Sequence, residues 1–182
     1  MSVVCPARRQ LLKGLGGVAL MSLLPAKAMA SRSTKGSRSL SLYNIHTGER
    51  QDGVYWVDGQ YIGDTLSSFN YLLRDFRQDL EVPMDKRLFD YLHQLQSKLG
   101  TFEEVHVISG YRSPKTNAML RSHSSGVAKK SYHMSGMAMD IAMPSVKLAH
   151  IRDAALSLKL GGVGYYPKSG FVHIDCGPVR HW

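Results

Sequence analysis

A chain of 182 residues, 43% apolar and 20% charged, has the length and composition of one domain of ordinary size that buries a proper core. Its formal net charge of +9 suits nucleic acid, an anionic membrane surface or an acidic cell-wall polymer. Its two cysteines, Cys5 and Cys176, fall on either side of a predicted cleavage site, which excludes an intramolecular disulfide from the mature protein.

Residues 1–30 read as a targeting segment. Arg8 and Arg9 precede an uncharged stretch from Gly14 to Leu24, and Ala28-Met29-Ala30 supplies a small-x-small cleavage site before Ser31. The apolar stretch is too short and too rich in glycine for a permanent membrane span. Arg8-Arg9-Gln10-Leu11-Leu12-Lys13 resembles the twin-arginine signal, which implies export through the Tat machinery to the periplasm. A simple N-terminal anchor helix is the alternative. Four basic residues and no acidic one leave with this segment, so the mature domain keeps a surplus of five positive charges. Export argues against nucleic acid as the partner.

Residues 31–39 are polar, basic and without apolar periodicity, and are expected to form a flexible lead to a folded domain over residues 40–182. From Leu40 to Tyr61, alternation bounded by Thr47-Gly48, Asp52-Gly53 and Asp58-Gly59 predicts short antiparallel strands. Leu66, Phe69, Leu72, Leu73, Phe76 and Leu80 then recur at helical spacing behind a cap at Asp64 or Thr65, with Pro83 ending the element or beginning the next. Asp85 caps a second helix that turns Leu88, Leu92, Leu95 and Leu99 inward and stops at Gly100. Val105–Ser109 has the β-branched content of a buried strand; it delivers Gly110-Tyr111-Arg112-Ser113 to its end, and Pro114 opens a helix. A loop through Lys129 and Lys130, read as a solvated charge pair, leads into the stretch from Ser131 to Asp140. Ser145 is placed to cap a helix running to Lys159, and residues 163–175 read as a hairpin. These patterns predict an α+β domain, with helices packed on a small, mainly antiparallel sheet.

Within this frame, His133 and Asp140 are seven residues apart. Fully extended, that interval spans roughly 23 Å, and a continuous helix separates the two Cα atoms by about 10 Å along its axis. A turn at Met134-Ser135-Gly136 brings them together. Beyond it Met137, Met139, Ile141 and Met143 share one face of a strand, while Asp140 sits on the other between Ala138 and Ala142. The same period puts Phe171, His173 and Asp175 on one face of the later strand. If the two strands are neighbours, Asp140 meets His173. Two imidazoles and one carboxylate leave a fourth position open, which is the catalytic rather than the structural pattern for zinc. Arg112, a cation at a strand end, would serve to hold a substrate carboxylate or the charge on a carbonyl oxygen; a surface ion pair is its alternative role. Cys176 reads as a buried thiol.

The string Ser131-x-His133-x-x-Gly136-x-Ala138-x-Asp140 is flanked by Ser109-Gly110-Tyr111-Arg112-Ser113 upstream and Val172-His173-Ile174-Asp175 downstream. In this order the three motifs resemble the zinc peptidases grouped as lysostaphin, D-alanyl-D-alanine carboxypeptidase and Hedgehog. The likeness to exported murein endopeptidases of that group runs from the arginine pair to Gly177-Pro178-Val179-Arg180-His181-Trp182. It implies a Hedgehog/DD-peptidase-like fold, Zn²⁺ on His133, Asp140 and His173, and a substrate-facing role for Arg112. It also implies peptidoglycan peptide cross-links as substrate, with preference for the L,D (3-3) link between two diaminopimelate residues. Many relatives carry a glutamate or histidine two or three residues before the last ligand, where this chain has Phe171 and Gly170. That departure leaves Asp175 and His181 as candidate bases, with orientation of a ligand histidine as the other role for Asp175. A D,D-endopeptidase or carboxypeptidase, and a zinc-containing murein-binding module without catalysis, are the alternative functions.

Overall fold

The computed structural model describes residues 36–124 and 126–182; the expected targeting segment, residues 1–30, lies outside them, as do residues 31–35 of the lead. The first strand, β1 (Ser37–Asn44), buries Leu40, Leu42 and Asn44 in alternation and pairs antiparallel with β2 (Arg50–Val57). Residues 37–39 are therefore strand and not flexible lead. Arg38 is fixed there because its guanidinium lies 4.1 Å above the Trp56 ring and 2.7 Å from Asp90 Oδ1. Thr47-Gly48 makes the turn, with Gly48 at φ 76° and its N–H donating to Asn44 O. Asp52-Gly53, expected as a second turn, instead runs within β2 opposite Leu40 and Ser41. Asp58 and Gly59 do turn the chain, into the short β3 (Gln60–Tyr61).

Helix α1 (Gly63–Leu72) buries Leu66, Phe69 and Leu72 and then stops. The apolar spacing continues through Phe76 and Leu80, but the helix does not, and Leu80 is 49% exposed. Tertiary bonds take over: Leu73 O accepts from Tyr111 N at 2.7 Å, and Asp75 N donates to Leu80 O at 2.8 Å. The segment after Leu72 thus becomes a support for the loop that carries Arg112. Helix α2 (Lys86–Leu99) matches its sequence signals, with the Asp85 carboxylate accepting from Arg87 N and Gly100 in the left-handed region at φ 69°. Leu88, Leu92 and Leu95 are fully buried along it.

The strand β4 (Val105–Ser109) leads to α3 (Pro114–His123), where Ser113 Oγ accepts from Thr116 N as the N-cap. After a 3-10 turn (Tyr132–Ser135) come β5 (Ala138–Ala142) and α4 (Leu148–Leu158). Ser145 does not cap α4; its hydroxyl donates to Glu103 Oε1 at 2.7 Å, and the helix begins at Leu148 behind Lys147. The expected hairpin is present as β6 (Gly162–Tyr166) and β7 (Phe171–Asp175), and a strand not foreseen, β8 (Arg180–His181), returns along β6.

The described strands form one sheet in the order β3-β2-β1-β4-β5-β7-β6-β8, antiparallel except for the β1/β4 and β6/β8 pairs. With four helices on an essentially antiparallel sheet, the predicted α+β class is the one observed. One apolar core joins Phe69, Leu92 and Ile151 of the helices to Met139 and Ile141 of β5 and to Val172 and Ile174 of β7. Strand alternation then puts Asp140 and His173 on the opposite face. No helix among the described residues is long and apolar enough to cross a membrane.

Candidate metal centre

Backbone pairing sets the site. In the β5/β7 ladder Asp140 stands directly across from His173, and in the β4/β5 ladder a register shift puts Ser109 opposite Asp140. His133 comes from the 3-10 turn, whose Ser131 Oγ accepts from His133 N at 3.4 Å and whose end is the left-handed Gly136 at φ 65°. That turn is the fold-back that the seven-residue interval requires. A Cβ at position 136 would stand 2.9 Å from Pro83 O, so the turn also fits closely against the segment before α2.

The ligand atoms of His133, Asp140 and His173 all lie within 4.8 Å of one another, and all three residues are buried. His173 Nδ1 is 2.9 Å from Asp140 Oδ1 and 3.2 Å from His133 Nε2, which is 3.3 Å from the same carboxylate oxygen. The outward ring atoms are engaged elsewhere. His133 Nδ1 is 2.7 Å from Gly110 O, and a carbonyl only accepts, so the proton resides on Nδ1. His173 Nε2 is 3.0 Å from Asp175 Oδ2, which assigns its proton in the same way. The two inward nitrogens and the Asp140 oxygen are left as three lone-pair atoms aimed at one point. Such a cluster repels itself unless a cation lies among its members, and the donor set fits a divalent metal with open positions.

Without a cation the cluster can be held together only by protons on the inward nitrogens, and these compete with a metal for the same lone pairs. Burial alone would raise the Asp140 pKa, but the His133 and His173 imidazoles reverse this and hold it below the ordinary carboxylate range. Burial would lower that of His173, and hydrogen bonds to Asp140 and Asp175 overcome it, so the pKa is raised. Arg112 is buried at the edge of the triad, with Nη2 3.1 Å from Ser109 Oγ and 3.4 Å from Asp140 Oδ2. Its pKa is lowered by desolvation, partly opposed by Asp140, and its Nε has no hydrogen-bond partner among the described residues.

The Arg112 loop is braced on both sides. Arg112 N donates to His133 O at 3.1 Å, and Ser113 N donates to Asp75 Oδ2 at 2.9 Å. Asp75 is a support for the site that the sequence patterns do not single out: it sits in the polar stretch Arg74-Asp75-Phe76-Arg77-Gln78-Asp79, where an acid between two arginines reads as a solvated charge. Desolvation would raise its pKa, but hydrogen bonds from the Ser113 and Arg77 main-chain N–H groups lower it.

The structure separates the two remaining site candidates. Asp175 is fully buried, and its carboxylate receives Gly162 N, Gly177 N, His173 Nε2 and both terminal nitrogens of Arg180. Burial would raise its pKa, yet His173, Arg180 and Gly177 hold it below the ordinary range. His181 is exposed on β8, and it is Arg180 and Trp182, not His181, that line the cleft. Burial pushes the Cys176 thiol up to about 12, in keeping with an inert buried cysteine.

The triad opens into a cleft of about 650 Å³. Its lining brings Arg112, Lys130 and Arg180 together with Tyr166, Phe171 and Trp182. Tyr166 and Phe171 are stacked at 4.6 Å, and Trp182 Nε1 donates to Tyr166 Oη at 2.7 Å. The aromatic side is closely fitted to β6: a Cβ at Gly164 would stand 2.8 Å from both Trp182 Cε2 and Tyr166 Cε2.

The sequence model of the family described as peptidoglycan L,D-endopeptidase MepK matches residues 32–182. The chain is similar to the peptidoglycan L,D-endopeptidase MepK of Escherichia coli strain K12, at 50% identity over 177 residues covering 97% of each protein. It is also similar to the probable peptidoglycan L,D-endopeptidase MepK of Haemophilus influenzae, at 45% identity over 170 residues covering 92% of this chain and 91% of that one. No solved structure matches.

Proposed function

Because the chain belongs to the peptidoglycan L,D-endopeptidase MepK family, we propose that it is an exported zinc peptidase that hydrolyses peptide cross-links in peptidoglycan. Its preferred bond is the L,D (3-3) link between two diaminopimelate residues. The reading is carried by one observation: three lone-pair atoms converge in a cleft while the outward nitrogen of each imidazole is already bonded elsewhere.

Zinc held by His133 Nε2, His173 Nδ1 and an Asp140 oxygen would supply Lewis acidity to a water and to the scissile carbonyl. The protein's own part is positioning. Gly110 O and the Asp175 carboxylate hold the two imidazoles in the tautomers that present bare nitrogens. Arg112, desolvated beside Asp140, engages a substrate carboxylate or the carbonyl oxygen on which charge develops. Asp175 already accepts from five donors, so its role is orientation of His173 and not proton transfer. His181, exposed and outside the cleft lining, takes no part in the chemistry. The apolar and basic groups of the cleft suit a peptide bearing acidic side chains. Residues 1–30 act as a twin-arginine-type signal through the Tat machinery, and the site of action is the periplasm.

The test is digestion of purified cross-linked sacculi by protein that is untreated, chelated or zinc-restored, with released muropeptides identified by mass. Cleavage of 3-3 links that disappears on chelation and returns with zinc is the expected result. Cleavage confined to D,D links would replace the proposed bond with the other one. Zinc-loaded protein that binds sacculi and releases nothing would make it a binding module.

A further inference from the structure

The site candidates found in the sequence leave Arg180 unassigned, yet its guanidinium is the best-held cation near the triad. Nη2 lies 2.7 Å and Nη1 3.0 Å from the two oxygens of the buried Asp175, a bidentate pair. The guanidinium carbon also lies 5.1 Å from the Tyr132 ring centroid and 4.9 Å from that of Trp182. These two rings belong to different parts of the chain: Tyr132 opens the turn that carries His133, while Trp182 packs against His173 with centroids 5.3 Å apart. Position 162 is shaped around the same pair. A Cβ there would stand 2.5 Å from Asp175 Oδ2 and 2.8 Å from Arg180 Cζ, so only glycine leaves room.

We infer that Arg180 is a positioning residue for the metal centre, acting on His173 through the Asp175 carboxylate. The inference rests on the metal-site reading and adds a residue that makes no contact with the ligand atoms themselves. Asp175 must do two things that conflict in a buried setting: stay ionised, and keep one oxygen turned to His173 Nε2. The Arg180 fork meets both needs at once, because it neutralises the charge and fixes the carboxylate plane. With Oδ2 fixed, the His173 proton stays on Nε2, and Nδ1 remains the atom that faces His133 and Asp140. β8 exists to deliver this side chain: Arg180 pairs with Gly162 in the parallel β6/β8 ladder, and the Trp182 main chain is tied to β6 by Trp182 N to Val163 O and Tyr165 N to Trp182 O.

The experiment measures zinc affinity by competition with a chromogenic chelator, alongside the apoprotein's melting temperature, for wild type, Arg180→Met and Arg180→Lys. Loss of an outer partner of a ligand histidine weakens metal binding by about 10- to 100-fold. Arg180→Met is expected to fall in that range, and Arg180→Lys, which keeps the charge and loses the fork, to fall by less. In metal-free protein, the imidazole N–H proton resonance of His173 Nε2, sheltered in wild type, should broaden into exchange in Arg180→Met. A folded Arg180→Met protein with wild-type zinc affinity and a sheltered Nε2 proton would overturn the inference. If Arg180→Met does not fold, Arg180→Lys decides, since unchanged affinity and an unchanged proton signal in that variant would overturn it equally. A wild-type protein that binds no divalent cation would overturn the metal-site reading itself, a different result from wild-type binding that Arg180 does not influence.

Discussion

Helix α2 and the β5/β7 strand pair both bury side chains, and they use that burial in opposite ways. Along α2, Leu88, Leu92 and Leu95 are sealed among other apolar side chains, and each contributes by filling space. On the outer face of β5/β7, Asp140, His173 and Asp175 are also buried, but each is worth having only while its partners remain. An apolar core degrades gradually when atoms are removed. A buried polar network loses its function at the first missing member while the fold around it can persist. Substitutions in the two regions should therefore separate stability from activity.

The largest effect belongs to the ligands. Asp140→Ala should lower zinc affinity by more than the roughly 100-fold reached by outer partners and abolish turnover, with circular dichroism unchanged; metal content by atomic spectroscopy reads this directly. Arg112→Ala should retain zinc and lose about 10²- to 10³-fold in kcat, the range for removing one preorganised group that stabilises developing charge. Leu92→Ala reverses the pattern: denaturant unfolding should show a loss of about 2–5 kcal/mol, while zinc per folded molecule stays at the wild-type value.

Asp75 sharpens the comparison because it is a buried polar group that supports the site from outside it. Asp75→Asn should cost about 1–3 kcal/mol through poorly matched donors at Ser113 N and Arg77 N. Its pH dependence has a defined sign. The folded pKa is below the unfolded one, so the Asp75 contribution is complete above the unfolded value and is lost as pH falls through the folded value. The stability gap between wild type and Asp75→Asn should accordingly be constant near neutrality and close below about pH 4. His181→Ala is the smallest: an exposed position outside the cleft should change stability by no more than about 0.5 kcal/mol and leave turnover intact. A large loss of turnover in that variant would restore His181 as a proton carrier.

Legibility in the sequence followed the range of the forces involved. α2 could be read because its cap, its leucine spacing and its terminal glycine are all local, and all point the same way. The juxtaposition of His133, Asp140 and His173 could be read because a two-residue strand period and one tight turn make it possible, and the resemblance of the three motifs to the zinc peptidases implies the strand pairing that completes it. The end of α1 could not, because Phe76 and Leu80 continue the helical spacing while the bonds that stop the helix come from Tyr111 and Ser113, far along the chain. β8 was invisible for a related reason: two residues carry no periodic signal, and the strand is defined by its neighbour β6. Arg180 shares that difficulty, since its meaning depends on the position of Asp175, which the strand period alone could place beside His173. Ser145 shows the converse, a capping residue by type whose hydroxyl is taken by Glu103.

The glycines in and just before β6 have a consequence for how such a protein can diverge. At 161 a side chain would overlap the Asp175 carbonyl, at 162 it would displace the Arg180–Asp175 pair, and at 164 it would strike Trp182 and Tyr166. A side chain at any of these three positions therefore disrupts the metal's support or the aromatic wall before it alters what binds. On the bank that includes His123, Ser124 and residues 126–128 the one described glycine, Gly126, has only an ordinary contact, 3.7 Å to Ser124 Oγ. New bond preferences would have to be written there, so laboratory selection for a different cross-link should leave β6 untouched and accumulate its changes on that opposite bank.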